Sequence, residues 1–371
     1  MSKKKVLIVN DRLQFGGSDL VAVRLEENLN KDKFECVYCV RRTEPGPLEA
    51  ELIKRNARII HVPDEKIGYF QSFVFYLELL KNERFDIVHS HLMFFSAIVL
   101  LAAKIRKVPV RVAHSHFSKP LFEEKGIVKL LHSIYRFLMR RLLKIVCNKM
   151  LACSIPTGEF LYGKKCFAKK GIVLNNGIDF SEYEFNQEFR DEIRSEFNIK
   201  PNDVLLGHIG QMWYAKNHSF LIDIFNEYHK QNKNSYLMLV SDGPLRDEIE
   251  NKVNGLGLSD SVIFTGFRND CNKLLMAMDC FVFPSIHEGF PLTLIEAQAT
   301  KLPCVVSDVV TEVAKFNENF VFESIIDNSI KWVEAVNIVT QIERCFIDIN
   351  KIKNEYDIII IANELEKLYL N

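Results

Sequence analysis

The sequence has no excess charge of either sign: 48 Lys and Arg balance 48 Asp and Glu. Neutrality of this kind gives no bulk attraction for nucleic acid. Together with 48% hydrophobic residues, it also excludes a disordered tail protein. Long apolar runs are missing. The best, Phe94–Ala103, is interrupted at Ser96 and falls short of the ~18–20 residues of a spanning helix. The start, Met1-Ser-Lys-Lys-Lys before Val6-Leu-Ile-Val-Asn10, is too short for a signal-peptide core. Low-complexity segments and internal repeats are absent. The nine cysteines are an odd number scattered through apolar runs, as at Cys147, Cys153, Cys280 and Cys304. That usage fits reduced, buried thiols and a cytoplasmic location. Cys36 and Cys39 have Cys-x-x-Cys spacing but lie in a strand pattern, which turns them to opposite faces and away from a shared metal.

Two ordinary domains fit in 371 residues, and the charge is divided between the halves. Residues 1–175 carry 31 basic against 17 acidic side chains, and the remainder reverses that excess. Short apolar runs alternate with amphipathic stretches throughout. Seven candidate strands precede residue 175: Val6–Asn10, Cys36–Val40, Arg58–Val62, Asp86–His89, Val110–His114, Met150–Cys153 and Ile172–Leu174. Five follow residue 200: Val204–Ile209, Tyr236–Val240, Val262–Phe264, Cys280–Phe283 and Cys304–Val306. Strands alternating with 10–15-residue helices mean βαβ units, and twelve strands are better divided between two doubly wound sheets. The turn Asn175-Asn176-Gly177 and the acidic stretch after it mark the boundary. The expected domains are therefore 1–175 and 176–353, with a last helix, 354–371, free to pack back on the first. Ligands of such sheets bind beyond the C-terminal strand edges, so functional residues are expected just after strands, in a cleft between the domains.

In the first half, Gly16 and Gly17 stand between a strand and a helix, where backbone N–H groups can approach an anion or simply form a βα turn. His89-Ser-His91 and His114-Ser-His116 each end a strand. They bring no nearby carboxylate cluster, so hydrogen-bonding or acid–base roles are expected before a metal. Lys125, Lys129, Arg136, Arg140 and Lys144 fall on one stripe of a long helix opposite Ile127, Leu131, Ile134, Leu138, Leu142 and Ile145. A cationic stripe over an apolar face suits an anionic membrane surface or a solvated, packed helix.

The second half has sharper signals. Val204–Ile209 leads into Gly210-Gln211-Met212, and Lys216-Asn-His218 opens the next helix. A lysine there suits a diphosphate. Tyr236–Val240 ends in Ser241-Asp242-Gly243-Pro244, and Phe267 follows a strand where an aromatic can lie beside a base. Then comes Glu288-Gly289-Phe290-Pro291-Leu292, with Glu296 eight residues after Glu288. Each carboxylate can accept two hydroxyl hydrogen bonds, as from a vicinal diol. The bland readings are a helix cap for Glu288 and a solvent-facing helix residue for Glu296.

The spacing Glu288-x7-Glu296 resembles the motif of family-4 retaining glycosyltransferases of the GT-B fold, closest to their capsular and exopolysaccharide branch. Gly16-Gly17, both His-Ser-His triplets, Asn176-Gly-Ile-Asp179, Lys216-Asn-His218, Asp242-Gly243-Pro244 and Ile295-Glu-Ala-Gln-Ala299 extend the resemblance over most of the chain. It implies two Rossmann-like α/β domains and transfer of a hexosyl or N-acetylhexosaminyl unit from a nucleotide diphosphate sugar, by default a UDP-sugar. The acceptor would be lipid-linked or an oligosaccharide. Glu296 would hold the ribose diol, Glu288 the sugar hydroxyls and Lys216 the diphosphate, with Gly16-Gly17 approaching the phosphates. His116 would touch the donor sugar, and Gln211, Asp242, Gly243, Phe267 and residues 289–292 would line the donor. His91 and the basic stripe would face acceptor or membrane. With no Asp-x-Asp in the chain, no metal or other cofactor is expected. The basic excess of the first half favours the membrane surface, so the expected location is cytoplasmic and peripheral at the inner face of the membrane.

Three positions depart from the family pattern. Gln211 stands where an arginine usually precedes the lysine, Ser241 where glycine is usual, and Val309-Val310 where a Gly-Gly pair is common. A missing transition-state cation costs about 3 kcal/mol; Arg268 and Lys315 are candidate replacements. Gln211 also keeps open a weak or non-catalytic nucleotide-sugar-binding subunit, and a sugar-nucleotide epimerase shares the fold.

Overall fold

The structure is a computed structural model that describes residues 3–14, 17–63, 68–118, 125–288, 291–310, 314–326, 328–342, 344 and 348–371. Its chain divides into two units. Met1–Ile178 with Ile358–Asn371 forms the first, and Asp179–Asp357 the second.

The first unit holds β1 (Lys4–Asn10), β2 (Phe34–Val40), β3 (Arg58–His61), β4 (Ile87–Ser90), β5 (Val110–Ser115), β6 (Lys149–Ala152) and β7 (Gly171–Val173). They form a parallel sheet in the order β3-β2-β1-β4-β5-β6-β7. The second unit holds β8 (Val204–Ile209), β9 (Ser235–Val240), β10 (Val262–Gly266), β11 (Cys280–Phe283), β12 (Cys304–Ser307) and β13 (Phe320–Glu323), in the order β10-β9-β8-β11-β12-β13. These strands are also parallel. Both sheets have the doubly wound order in which the chain reverses direction between the first and fourth strands, so each opens a crevice at its own switch point. In the second unit that point lies between β8 and β11, the two strands that lead to Lys216 and Glu288.

All twelve expected strands are present, and β13 is an addition. Its four residues pair only with β12 at the sheet edge and are mostly half-buried, a pattern too short to stand out. The central strands are buried on both faces, as the successive residues Leu7 and Ile8 of β1 and Leu205 and Leu206 of β8 show.

The expected last helix is two helices. Asn350–Tyr356 ends where Asp357 turns extended, at φ −67° and ψ 123°, and Ile358–Leu370 follows. The break changes partners. Tyr356 packs edge-on against Phe316 in the second unit, whereas Ile361, Leu365 and Tyr369 are buried in the first. There the backbone N–H of Ile358 donates to Ile178 C=O at 2.9 Å. Glu366 accepts the N–H of Asn30 at 2.6 Å and pairs with Lys33 at 3.1 Å.

The acidic stretch after Asp179 contains the helix Gln187–Glu196, capped by Asn186. Its Arg190 and Arg194 bind Asp279 and the carbonyls of 276–278, the residues leading into β11.

Candidate active site

At the second switch point, Lys216 Nζ donates to Glu288 Oε1 at 2.8 Å. The lysine side chain is 20% exposed and the carboxylate 12%. The ammonium also lies 4.7 Å from the Phe283 ring centre at the end of β11, a cation–π contact that fixes its direction. One residue from each side of the crevice is thereby joined in the pair. Gly210 makes this approach possible: a Cβ there would stand 3.2 Å from Lys216 Cε and 3.0 Å from His208 Nε2.

The loop after β8 is stitched to the loop after β9. Met212 N–H donates to Asp242 C=O at 3.0 Å, and Leu245 N–H donates to Met212 C=O at 3.1 Å. Gly243 lies so close that a Cβ would meet Met212 O at 2.5 Å, so this position admits no side chain without moving backbone. Asp242 accepts the Gly243 N–H at 2.7 Å and faces Arg246 at 3.4 Å. Ser241 has φ +112°, a conformation that favours glycine. It is held there by its N–H bond to Gly266 C=O at 2.9 Å. Glycine, the usual residue at this position in the resembled pattern, would adopt this backbone without strain.

Glu296 is 7% exposed on the helix Leu292–Ala299, buried with Leu294, Ile295, Ala297 and Gln298. The solvent-facing reading of this carboxylate is therefore overturned. Pro291 is buried at the N-cap of that helix, and Leu292 is half-buried at its first position. Gln298 is a structural anchor the sequence did not reveal. Its amide donates to Leu294 C=O and Ala314 C=O and accepts the N–H groups of Phe316 and Asn317. Gln211 and Phe267 are exposed, Phe267 at 72%. Gly16, Gly289 and Phe290 lie outside the described residues, and Gly17 begins the helix Gly17–Glu27.

Arg268 does not replace the missing arginine. It is bound by Glu196 at 2.6 Å and Asp270 at 2.7 Å, and two carboxylates leave its charge already neutralised. The hydrogen bonds it donates to Asp270 and Glu196 push its pKa up further. Lys315 is exposed. Beneath the Lys216 loop, His208 and His218 meet edge to face at 4.8 Å. Burial, with Lys216 adding to it, lowers the His218 pKa to about 4.

In the first unit, alternation along β4 and β5 puts the four triplet histidines on one side of the sheet. His89 and His91 stack at 4.3 Å and His89 and His114 at 5.4 Å, with interplanar angles of 29° and 14°. His91 Nδ1 and His116 Nε2 share a hydrogen bond of 2.9 Å. Burial holds all four neutral, lowering His89, His91 and His114 well below the usual imidazole range and His116 to about 3. His89, His91 and His114 have ring nitrogens within 4.8 Å of one another, a potential ligand set. Their rings stack or tilt against one another at 4.3–5.4 Å between centres, and the set contains no anionic ligand. A divalent cation would bring an uncompensated charge into a buried layer.

A polar pair that sequence reasoning missed holds the loop after β1. Asn10 donates to Asp19 Oδ1 at 2.9 Å, and Asp19 Oδ2 accepts the Gln14 N–H at 3.2 Å.

The basic helix spans Gly126–Val146, with Lys125 at its N-cap. It packs through Tyr135, Met139, Leu142, Leu143 and Val146. Ile127, Leu131, Ile134, Leu138 and Ile145, on the expected apolar face, are 48–72% exposed. Lys125, Lys129 and Lys144 are exposed and Arg136 is half-buried. Arg140 leaves the expected stripe: it turns inward to donate to Leu161 C=O and Phe160 C=O at 3.2 and 2.6 Å. The carbonyls it caps belong to the neighbouring helix Ile155–Tyr162.

Comparison with known proteins gives this arrangement its family. Residues 15–182 match the model described as Glycosyltransferase Family 4, and residues 203–339 match Glycosyl transferases group 1. EpsF of Bacillus subtilis, named as a putative glycosyltransferase, is 31% identical over 84% of this chain and 81% of its own. CapH of Staphylococcus aureus, a capsular polysaccharide biosynthesis glycosyltransferase, is 27% identical over 99% of both chains. An Escherichia coli UDP-Gal:alpha-D-GlcNAc-diphosphoundecaprenol alpha-1,3-galactosyltransferase is 27% identical over 83% of this chain and 80% of its own. Among solved structures, Anabaena HepE in complex with UDP superposes with a TM-score of 0.79 at 16% identity, covering 98% of both chains. HepE is also solved with UDP-glucose. Sequence and architecture thus agree that the chain belongs to glycosyltransferase family 4 and has the GT-B fold.

Proposed function

We propose that this glycosyltransferase moves a hexosyl or N-acetylhexosaminyl unit from a UDP-sugar to a lipid-linked or oligosaccharide acceptor in surface polysaccharide synthesis. The observation that carries the reading is the Lys216–Glu288 pair at the β8/β11 switch point, with Glu296 buried eight residues further on. Glu296 takes the ribose diol, Phe267 lies beside the base, and Asp242 and Gly243 shape the floor. Lys216 and the N–H groups at the start of the helix Leu292–Ala299, with Gly16 and Gly17, receive the diphosphate. Glu288 then exchanges Lys216 for sugar hydroxyls. Charge on the leaving diphosphate is met by protein groups, so no metal is required. His116 meets the donor sugar, and His91 is on the acceptor side. Transfer retains the anomeric configuration through front-side attack: the acceptor oxygen bonds to the anomeric carbon as the bond to the leaving phosphate breaks, and that phosphate takes the acceptor proton.

The donor assignment is supported by the UDP-galactose named for the Escherichia coli relative and the UDP-glucose bound in HepE. The diphosphoundecaprenol acceptor in that relative's name supports a lipid-linked one. The exposed apolar face of Gly126–Val146, flanked by Lys125, Lys129 and Lys144, suits peripheral binding at an anionic cytoplasmic membrane surface. The roles are tested by thermal shift with UDP and UDP-sugars on Glu288→Ala and Glu296→Ala. Glu296→Ala is expected to reduce the stabilisation by every uridine ligand and Glu288→Ala only that by sugar-bearing ones. Equal loss in both variants refutes the assignment.

A further inference from the structure

Tyr369, on the helix Ile358–Leu370, places its hydroxyl 2.6 Å from His89 Nδ1. The two rings meet at 87°, and the Tyr369 ring packs edge-on against Phe34 at 5.7 Å. If the phenol donates, only the His89 Nε2–H lacks a partner; His89 Nε2 has no partner among the described residues. Were the imidazole to donate instead, both the hydroxyl proton and the Nε2 lone pair would be stranded. A buried group left unsatisfied is costly, and the arrangement with fewer of them has the phenol donating and the His89 proton on Nε2. His89 lies face to face with His91 at 4.3 Å, and His91 Nδ1 is bonded to His116 Nε2. An unbroken series therefore runs from the last turn of the chain to the residue after β5: a hydrogen bond, a stack and a second hydrogen bond.

We propose that Tyr369 is a positioning residue for glycosyl transfer, fixing the His89 ring so that the stacked layer presents His116 in one orientation. This rests on the reading that His116 meets the donor sugar. The hydroxyl, rather than the ring, is the part that acts, because packing against Phe34 needs only the ring.

The test is Tyr369→Phe in the full-length protein. Imidazole nitrogen resonances are read by 15N NMR, and donor turnover with UDP-glucose and UDP-galactose as probes. The expected result is altered His89 and His116 resonances, with kcat lowered about 10-fold and the donor KM within about 2-fold. His116 resonances and kcat that match the wild type overturn the proposal, as does a fall in kcat that only tracks loss of folded protein. His116→Ala separates the two ideas. If it leaves turnover intact, the role of His116 fails and this proposal with it. If it abolishes turnover while Tyr369→Phe changes neither resonance nor kcat, only the positioning role of Tyr369 fails.

Discussion

Replacing Glu288 by Gln removes the charge that holds Lys216 while preserving the side chain's size and hydrogen-bonding capacity. At the observed 2.8 Å and an effective dielectric of about 20, the gross attraction is about 6 kcal/mol. Most of that is offset by desolvation, and both groups keep some exposure. The net value falls between about 0–1 kcal/mol for surface pairs and about 3–5 kcal/mol for breaking buried ones, hence about 1–2 kcal/mol here. A diphosphate must compete with Glu288 for the same ammonium. Glu288→Gln should therefore bind UDP about 5–30-fold more tightly. A UDP-sugar should gain less or lose affinity, since a charge-assisted bond to a hydroxyl, about 1.5–3 kcal/mol, is lost with it. Lys216→Met should weaken both ligands. Isothermal titration at low salt reads both variants against the wild type. Equal weakening of UDP and UDP-sugar by Glu288→Gln, or no change in either, refutes the competition.

Other positions give independent checks. Ser241→Gly releases a strained φ at a site where glycine is unstrained, so stability should rise by about 0.5–1 kcal/mol; a lower Tm refutes the strain. His89, His91, His114, His208 and His218 are buried and His116 is half-buried, and all six have lowered pKa values. The native state therefore binds fewer protons than the unfolded one below pH ~6.5, and stability is full above that value. It falls by up to about 1.4 kcal/mol per pH unit for each such group as pH drops toward the folded pKa values. Calorimetry should show Tm dropping steeply from pH 7 to pH 5, and a flat Tm contradicts the burial of neutral imidazoles. Reversing Lys125, Lys129 and Lys144 to Glu should weaken binding to phosphatidylserine-containing vesicles by at least about 100-fold, at about 1 kcal/mol per charge. Unchanged cosedimentation removes the membrane role of the helix Gly126–Val146.

Strand positions were legible because buried parallel strands are short, β-branched, apolar runs bounded by turns, as in Val6–Asn10 and Val204–Ile209. The two doubly wound sheets, and the placement of Lys216 and Glu288 in segments that follow strands, were expected from that alternation, whereas the strand order came only from the structure. Other features depend on neighbours that periodicity does not name. Hydrophobic spacing runs through Tyr356-Asp357-Ile358 as if through one helix, yet Asp357 ends one helix because the flanking residues pack on different units. The same spacing marked Ile127, Leu131 and Ile134 as apolar but could not say that the first unit covers the helix along Tyr135, Met139 and Leu143 instead. Arg140 and Arg268 read as available cations, and their capture by carbonyls and carboxylates is a tertiary fact. Tyr369 meets His89 across 280 positions of sequence, beyond any local signal.

The central claim is tested most directly by incubating the purified protein with UDP-hexoses, UDP-N-acetylhexosamines and a polyprenyl-diphosphate-linked sugar, in the presence of EDTA. The predicted result is a lipid-linked product extended by one sugar, with retained configuration, that disappears in Glu288→Ala and His116→Ala. Donor binding with no transfer to any acceptor, or transfer that requires a divalent cation, would contradict it.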